Sequence, residues 1–263
     1  MEFFSLSGNR VFSWEFQGHK AVKKIYANRQ GFKREKFVLG HLHNAAIRCP
    51  KILAQGEAEG QPYLILSSLS GRPATEFDGE DLLQITKSAG AALRVLERAI
   101  SPIEIEETTI LASRDTKLIR DKCNDHFEGE ALSCLHTALQ LYDTQFGAKA
   151  SHCLNHRDYR LANMMWDTDL DQPFGLLDME TACWGPSGAD LGRAVIEDFK
   201  PKPLQAALLG GYGPVTDEHL HLHSLMHMVE MTAYLAGKKN CSVREILLLE
   251  ALKKNVVRRA SGF

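Results

Sequence analysis

Polar side chains cluster in one short stretch, HRDYRLANMMWDTDLDQPFGLLDMET, which covers residues 156–181. Asp158 and Asn163 lie five residues apart in its opening loop, and Asp178 follows the apolar run FGLL. Two short strands joined by the polar turn DTDLDQP would place Asn163 at the start of one strand and Asp178 at the end of the other. Such a hairpin would bring an amide oxygen and a carboxylate together, and Mg²⁺ prefers oxygen ligands. We therefore predict a magnesium site formed by Asn163 and Asp178.

The loop before this hairpin predicts a second function. Asp158 could accept the proton of a hydroxyl group, or orient that hydroxyl for attack on a phosphorus atom. The pattern is compatible with phosphoryl transfer, with Asp158 as the catalytic residue; the alternative is that these polar side chains only cap turns. The role of Glu180 stays open, because it could be a second metal contact, a substrate contact or a turn residue.

Composition excludes several classes of protein. The 263 residues are 44% hydrophobic and 24% charged, with a net charge of −2, a profile typical of soluble globular chains. Near-neutrality argues against a nucleic-acid partner, and no long uncharged apolar run predicts a membrane span. The first residues do not resemble a signal peptide, and the six cysteines form no CxxC pair. We expect a cytoplasmic protein with reduced thiols; its oligomeric state is not predictable from these features.

The hydrophobic pattern changes along the chain. The first 70 residues contain short runs rich in aromatic and β-branched residues, separated by turn sequences such as QGHK, which predict about five strands. One helical pattern, GFKREKFVLGHLH, interrupts them. From Asp81 onwards the pattern is mostly helical. We predict an α+β protein with a boundary near Gly71, between a β-rich part, residues 1–70, and a helical part, residues 71–263.

The motifs HRDYRLAN and LLDMETACWGPSGADLGR together resemble the catalytic core of the aminoglycoside phosphotransferase and choline kinase-like family of the protein-kinase-like superfamily. The resemblance implies a bilobal kinase fold, with a small antiparallel N-lobe that binds nucleotide and a larger helical C-lobe that carries the catalytic loop, the metal site and the acceptor-binding helices. ATP and Mg²⁺ are the implied cofactors. Arg157 departs from the family's pattern, which more often has glycine there. The SLSGNR turn also departs, because it holds one glycine instead of a glycine-rich run.

The resemblance also implies nucleotide-binding residues in the N-lobe. The kinase pattern Val-Ala-Ile-Lys favours Lys23 as the phosphate-anchoring lysine. Lys24 is the alternative, and strand alternation allows only one of the two to face the nucleotide. Glu35 is the only acidic residue between positions 20 and 44, so it is the expected partner of that lysine. The backbone of Ser67 and Leu69 is expected to meet the adenine edge.

The acceptor is the least specified part of the prediction. Residues 186–263 hold eight acidic residues against ten lysines and arginines, which gives no support to a polycationic aminoglycoside. We predict transfer of the γ-phosphate of ATP to the hydroxyl of a small molecule. The alternatives are a protein or lipopolysaccharide-sugar kinase, and a nucleotide-binding pseudokinase scaffold without transfer activity.

Overall fold

The structure is a computed structural model that describes residues 2–4, 8–42, 45–100, 119, 121, 124, 127–147, 152–236, 238, 250–251, 253–256 and 258. Ten strands are found in these residues: β1 (Glu2–Phe4), β2 (Arg10–Phe16), β3 (His19–Ile25), β4 (Ile52–Ala58), β5 (Gln61–Ser67), β6 (Arg72–Pro73), β7 (His152–Asn155), β8 (Met164–Trp166), β9 (Phe174–Leu176) and β10 (Cys183–Pro186). The longer helices of the same residues are α1 (Arg29–Leu42), α2 (Gly79–Leu96), α3 (Gly129–Phe146), α4 (Ala189–Ala194), α5 (Lys202–Tyr212) and α6 (Asp217–Ala236).

The first five strands form one antiparallel sheet in the order β1-β2-β3-β5-β4. The QGHK turn joins β2 to β3 with Gln17 and Gly18 at positive φ, a conformation that glycine adopts readily. The predicted strand, turn, strand pattern before Gly71 is found as β4 and β5, paired antiparallel. Five strands and one helix in the first 70 residues, followed by a mostly helical chain, confirm the predicted α+β class.

Helix α1 forms because its apolar positions recur at helical spacing. The residues buried along it are Gly31, Glu35, Val38, Leu39 and Leu42, which lie on one face at a period of 3.6 residues. The side chain of Asn28 accepts a hydrogen bond of 2.7 Å from the backbone N–H of Gly31, as a residue at a helix start commonly does. Glu35 is therefore the single acidic group on a face that otherwise packs inwards.

The predicted hairpin around the opening motif is present. Strands β8 and β9 pair antiparallel, with Met164 opposite Leu176, and β6 extends this sheet on the other edge of β8. The backbone N–H of Leu177 donates to the carbonyl oxygen of Asn163 at 2.9 Å. The hairpin therefore holds Asn163 and Asp178 at the same end of two neighbouring strands, as predicted from their spacing.

The chain divides into two compact units. The first unit comprises residues 1–112, 153–184 and 201–213, and the second comprises residues 113–152, 185–200 and 214–263. All residues predicted for the nucleotide, the metal and catalysis belong to the first unit. The predicted lobes, residues 1–70 and 71–263, follow the change in secondary structure instead, and their separate roles stay a prediction.

The second unit has a core of its own. Apolar side chains of α3 and α6 form its buried cluster, with Leu135, Tyr142 and Val229 among them. Two histidines of α6 have polar partners in the same unit: His223 Nδ1 lies 3.3 Å from the Tyr142 hydroxyl, and His227 Nε2 lies 2.8 Å from Glu197 Oε1. No helix in the described part of the chain is long and apolar enough to cross a membrane.

Two glycines of α5, both in the first unit, have opposite surroundings. A Cβ atom at Gly211 would overlap the carbonyl oxygen of Lys87 on α2, whereas a Cβ atom at Gly210 would meet nothing within 4 Å. We expect Gly211→Ala to lower the free energy of unfolding by about 1–3 kcal/mol through overpacking. Gly210→Ala should raise it by about 0.5–1 kcal/mol, because alanine favours the helix. Urea unfolding checks both, and equal effects would contradict the close α2–α5 packing.

Candidate active site

A buried lysine is surrounded by three carboxylates in the first unit. The Nζ atom of Lys24, on β3, lies 2.7 Å from Glu35 Oε2, 2.7 Å from Asp178 Oδ1 and 2.9 Å from Glu180 Oε2. Lys24 is only 6% exposed, and Glu35 is buried on α1. One positive charge therefore faces three negative charges, and the cluster as a whole keeps a negative charge.

The structure corrects the choice of lysine: Lys24, not Lys23, pairs with Glu35. Lys24 and Val22 line the same cavity, because alternate residues of a strand share a face. The ammonium group of Lys23 lies over the rings of Trp14 and Tyr63 instead, 5.0 Å and 4.4 Å from their centroids. The two lysines thus point to opposite faces of β3, as strand alternation requires, and Lys24 is the one that lines the cavity. Spacing alone does not distinguish two adjacent lysines.

The charged cluster changes how its members ionise. Burial alone would lower the pKa of Lys24, but the charges of Glu35, Asp178 and Glu180 raise it above its ordinary value. Burial raises the pKa of Glu35, and the ammonium group of Lys24 opposes that rise. The Tyr26 hydroxyl donates to the Glu35 carboxylate at 2.7 Å, which adds a neutral donor to the pair. Lys24 therefore stays charged at neutral pH and is a fixed cation beside the cavity.

A cavity of about 340 Å³ opens beside this cluster. Its polar wall includes Lys24, Glu35, Asn163 and Asp178; its other lining residues are mostly apolar and include Val11, Val22, Leu66, Met165 and Leu177. Ser67 and Leu69, the residues predicted at the adenine edge, also line it. The N–H of Ser67 donates to the Lys51 carbonyl at 2.8 Å, so that N–H is already used within the protein. The cavity therefore combines apolar lining residues with charged and polar groups.

The loop of residues 156–163 joins Asp158 to Asn163. The Asn163 Nδ2 atom donates to both the backbone oxygen and Oδ2 of Asp158, each at 2.8 Å. The guanidinium of Arg160 lies 3.3 Å from the same Asp158 carboxylate. Asp158 does not line the cavity itself but is one hydrogen bond away from Asn163, which does.

His156 connects this loop to the strand before Asp178. Its Nε2 atom donates to the Leu177 carbonyl at 2.8 Å, and its Nδ1 atom accepts from the Asp158 N–H at 3.2 Å. The next residue, Arg157, has φ 68°, in the left-handed region that favours glycine. This conformation explains why glycine is the commoner residue at that position of the motif.

Asp178 has an unusual backbone that brings Glu180 to the cluster. Asp178 has φ 66° and ψ 69°, and a short 3₁₀ helix, Met179–Thr181, follows it. Non-glycine residues in this region are uncommon and are often found at functional sites. Because the chain turns here, Asp178 and Glu180 both contact Lys24, although they are only two residues apart. Glu180 thereby belongs to the charged cluster, a position that the motif left open.

The sequence did not indicate Asn9 as a residue of the site, and it left the role of Glu180 open. Asn9 is 1% exposed, and its side chain hydrogen-bonds Glu180; no spacing signal in SLSGNR indicated it. Within the described part of the chain, Glu35, Asp178 and Glu180 form a carboxylate group whose oxygens lie within 4.8 Å of one another. These oxygens and that of Asn163 are the ones that a divalent cation could use.

Comparison with known proteins places the chain among phosphotransferases. Residues 9–222 match the model of a family described as the phosphotransferase enzyme family, APH. A comparison with curated protein sequences gave no significant match.

Solved structures share the fold at low sequence identity. Aminoglycoside phosphotransferase APH(4)-Ia is 16% identical, with a TM-score of 0.73 over 98% of this chain and 93% of that chain. The choline kinase LicA from Streptococcus pneumoniae is 10% identical, with a TM-score of 0.70 over 100% and 93%. APH(3'')-Id from Streptomyces rimosus is 20% identical, with a TM-score of 0.61 over 85% and 90%. These likenesses confirm the predicted kinase-like fold.

Proposed function

Because the chain belongs to the phosphotransferase enzyme family and is thus a kinase of hydroxyl groups, we propose that it moves the γ-phosphate of ATP to a hydroxyl of a small molecule, with Mg²⁺. The observation that carries this proposal is the Lys24–Glu35 ion pair beside Asp178, at the edge of a cavity that Asn163 also lines. A buried cation, oxygen ligands and a hydrogen-bonded carboxylate are the groups that phosphoryl transfer requires.

The nucleotide would occupy the 340 Å³ cavity. The apolar side chains that line the cavity, Val22, Leu66 and Met165 among them, suit a planar base, and the backbone of Ser67 and Leu69 would meet its edge. Lys24 would contact the phosphates in place of the predicted Lys23, and Glu35 would hold Lys24 in position. A fixed ammonium group needs no reorientation when the phosphates arrive, which favours electrostatic stabilisation of the transferring group.

The residues present fit Mg²⁺. Both side-chain hydrogen bonds of Asn163 among the described residues are donated by Nδ2, which leaves its oxygen Oδ1 as a ligand. Asp178 supplies a carboxylate, and three carboxylates against one ammonium leave negative charge that a divalent cation would offset. Asn163 and Asp178 would hold the ion, and the bound ion would neutralise charge on the phosphates.

Asp158 would act on the acceptor. Its carboxylate would take the hydroxyl proton as the acceptor oxygen forms a bond to the γ-phosphorus and the bond to the β–γ bridging oxygen breaks, releasing ADP. Asn163 would orient this carboxylate through its 2.8 Å hydrogen bond to Oδ2. The protein's contribution is therefore mainly alignment and charge neutralisation.

The choice of a small molecule is supported by the structural relatives. One structure of a thermostable APH(4)-Ia mutant is a ternary complex with AMP-PNP and hygromycin B, and LicA is a choline kinase. Both acceptors are small molecules with hydroxyl groups. The alternative, transfer to a protein or a lipopolysaccharide sugar, makes a different prediction in the experiment below.

A screen of small alcohols, sugars and amino alcohols, with ADP release as the readout, tests the proposed function. Turnover with one class of small molecule supports it, and labelling of only protein or glycolipid by radioactive ATP supports the alternative. Binding of Mg·ATP without transfer to any acceptor would favour a pseudokinase scaffold. The Asp178→Ala variant, purified in the same way, is the matched control, because it carries the same contaminants and is expected to release less ADP than the wild-type protein.

The Asp178→Ala variant should distinguish the contribution of Mg²⁺ to binding from that of the nucleotide alone. Mg²⁺ should raise the affinity of the wild-type protein for ATP. We expect this increase to be at least about tenfold smaller in the variant, since even groups that only orient a metal ligand have effects of that size. ATP affinity in EDTA should not fall, because the change removes a negative charge from the cavity. Calorimetry with and without Mg²⁺ measures both. An unchanged Mg²⁺ effect would remove Asp178 from the metal site.

A further inference from the structure

Asn9, the residue before β2, connects the end of β3 to the charged cluster. Its Oδ1 atom accepts a hydrogen bond of 2.8 Å from the backbone N–H of Ala27, just after β3. Its Nδ2 atom donates to Glu180 Oε2, the same oxygen that lies 2.9 Å from Lys24 Nζ. Asn9 and Glu180 are 171 positions apart in the chain, and both are buried. The buried side-chain amide of Asn9 therefore hydrogen-bonds at both ends. Its oxygen bonds to the backbone just after β3, and its nitrogen bonds to the acidic cluster.

Lys24 hydrogen-bonds to Glu35 and to Asp178, each at 2.7 Å, and forms an ion pair with Glu180 at 2.9 Å. An ammonium group carries three N–H donors, and Lys24 has three carboxylate partners, from Glu35, Asp178 and Glu180. Glu35 also accepts from the Tyr26 hydroxyl at 2.7 Å and from the Met179 N–H at 3.3 Å. The position of Glu180 depends on Asn9, so Asn9 influences how Lys24 is presented to a nucleotide.

We propose that Asn9 is a positioning residue for nucleotide binding: it holds Glu180 against Lys24. The inference rests on the proposed function, because Lys24 is the residue proposed to contact the phosphates. Asn9 acts through Glu180 and need not touch the nucleotide itself.

Two substitutions of Asn9 distinguish this role from simple structural support. Asn9→Asp keeps an oxygen that can accept from Ala27, so a role confined to that hydrogen bond predicts that this change is tolerated better than Asn9→Ala. The proposed role predicts the opposite order for nucleotide affinity, because the introduced carboxylate would place a like charge against Glu180. Loss of a hydrogen bond to a charged group should weaken Mg·AMP-PNP binding by about tenfold in Asn9→Ala. The like-charge contact should weaken it by roughly a further tenfold in Asn9→Asp.

Calorimetric titration with Mg·AMP-PNP measures these affinities, with thermal unfolding to confirm that each variant folds. Glu180→Gln on the Asn9→Asp background removes the repulsion, so the double variant should bind several-fold more tightly than Asn9→Asp alone. Wild-type affinity in Asn9→Ala, tighter binding by Asn9→Asp than by Asn9→Ala, or no recovery in the double variant would each overturn the proposal. If the wild-type protein binds no Mg·AMP-PNP, the proposed function fails and this inference fails with it; a wild-type protein that binds, with unaffected Asn9 variants, overturns this inference alone.

Discussion

Replacing Asp158 by asparagine is expected to lower kcat by a factor of about 10² to 10⁴, the usual contribution of a positioned acid–base group. The substitution keeps the size of the side chain and an oxygen that can accept from Asn163, but removes the negative charge and the proton acceptor. Nucleotide affinity should stay close to the wild-type value, because Asp158 does not line the cavity. Steady-state kinetics with the acceptor found by the screen, together with nucleotide titration, measure the two effects separately.

Asp171→Asn is the matched control for that experiment, since Asp171 is an exposed aspartate on the turn between β8 and β9. It should turn over at the wild-type rate. A loss in Asp158→Asn that is confined to KM would indicate an interaction made equally in the ground state and the transition state. Wild-type turnover of Asp158→Asn would show that Asp158 is not the catalytic base and that its hydrogen bonds with Asn163 only shape the loop.

Replacing Lys24 by alanine is expected to have the largest effect on nucleotide binding. The variant leaves Glu35, Asp178 and Glu180 close together without their cation, and breaking a buried ion pair costs about 3–5 kcal/mol of stability. ATP affinity should fall by about 100-fold or more, because three uncompensated carboxylates would face the phosphates. Nucleotide titration and urea unfolding at neutral pH measure the two losses.

Lys23→Ala is the control that the chain offers, one residue away on the same strand. It removes an equal charge from the opposite face of β3, where the ammonium group lies over Trp14 and Tyr63. We expect ATP affinity close to that of the wild type and a stability loss of about 1 kcal/mol, the size of a partly exposed cation–π contact. If Lys23→Ala loses more nucleotide affinity than Lys24→Ala, the assignment of Lys24 to the phosphates is wrong.

Much of the architecture was accessible from local patterns. Runs of aromatic and β-branched residues between turn sequences predicted the five strands. Helical spacing of apolar residues predicted the helix of the first 70 residues, because that spacing reflects burial of one helix face. The hairpin that joins Asn163 to Asp178 was predictable because a polar turn between two short apolar runs leaves few other arrangements. The family prediction is confirmed by the match over residues 9–222, and it depended on motifs whose spacing is set within one loop and one hairpin.

Side-chain choices between neighbours needed the folded chain. The face to which a strand residue points depends on strand register, and Lys24 is directed to the cavity by the pairing of β3 with β2 and β5. Glu180 reaches Lys24 where the backbone turns at Asp178, which has a left-handed conformation. An aspartate in the sequence does not by itself predict that conformation. Asn9 meets Glu180 across 171 positions. Periodicity and motif spacing report interactions within an element or a loop, whereas these contacts arise from the packing of separate elements, and only the tertiary structure decides them.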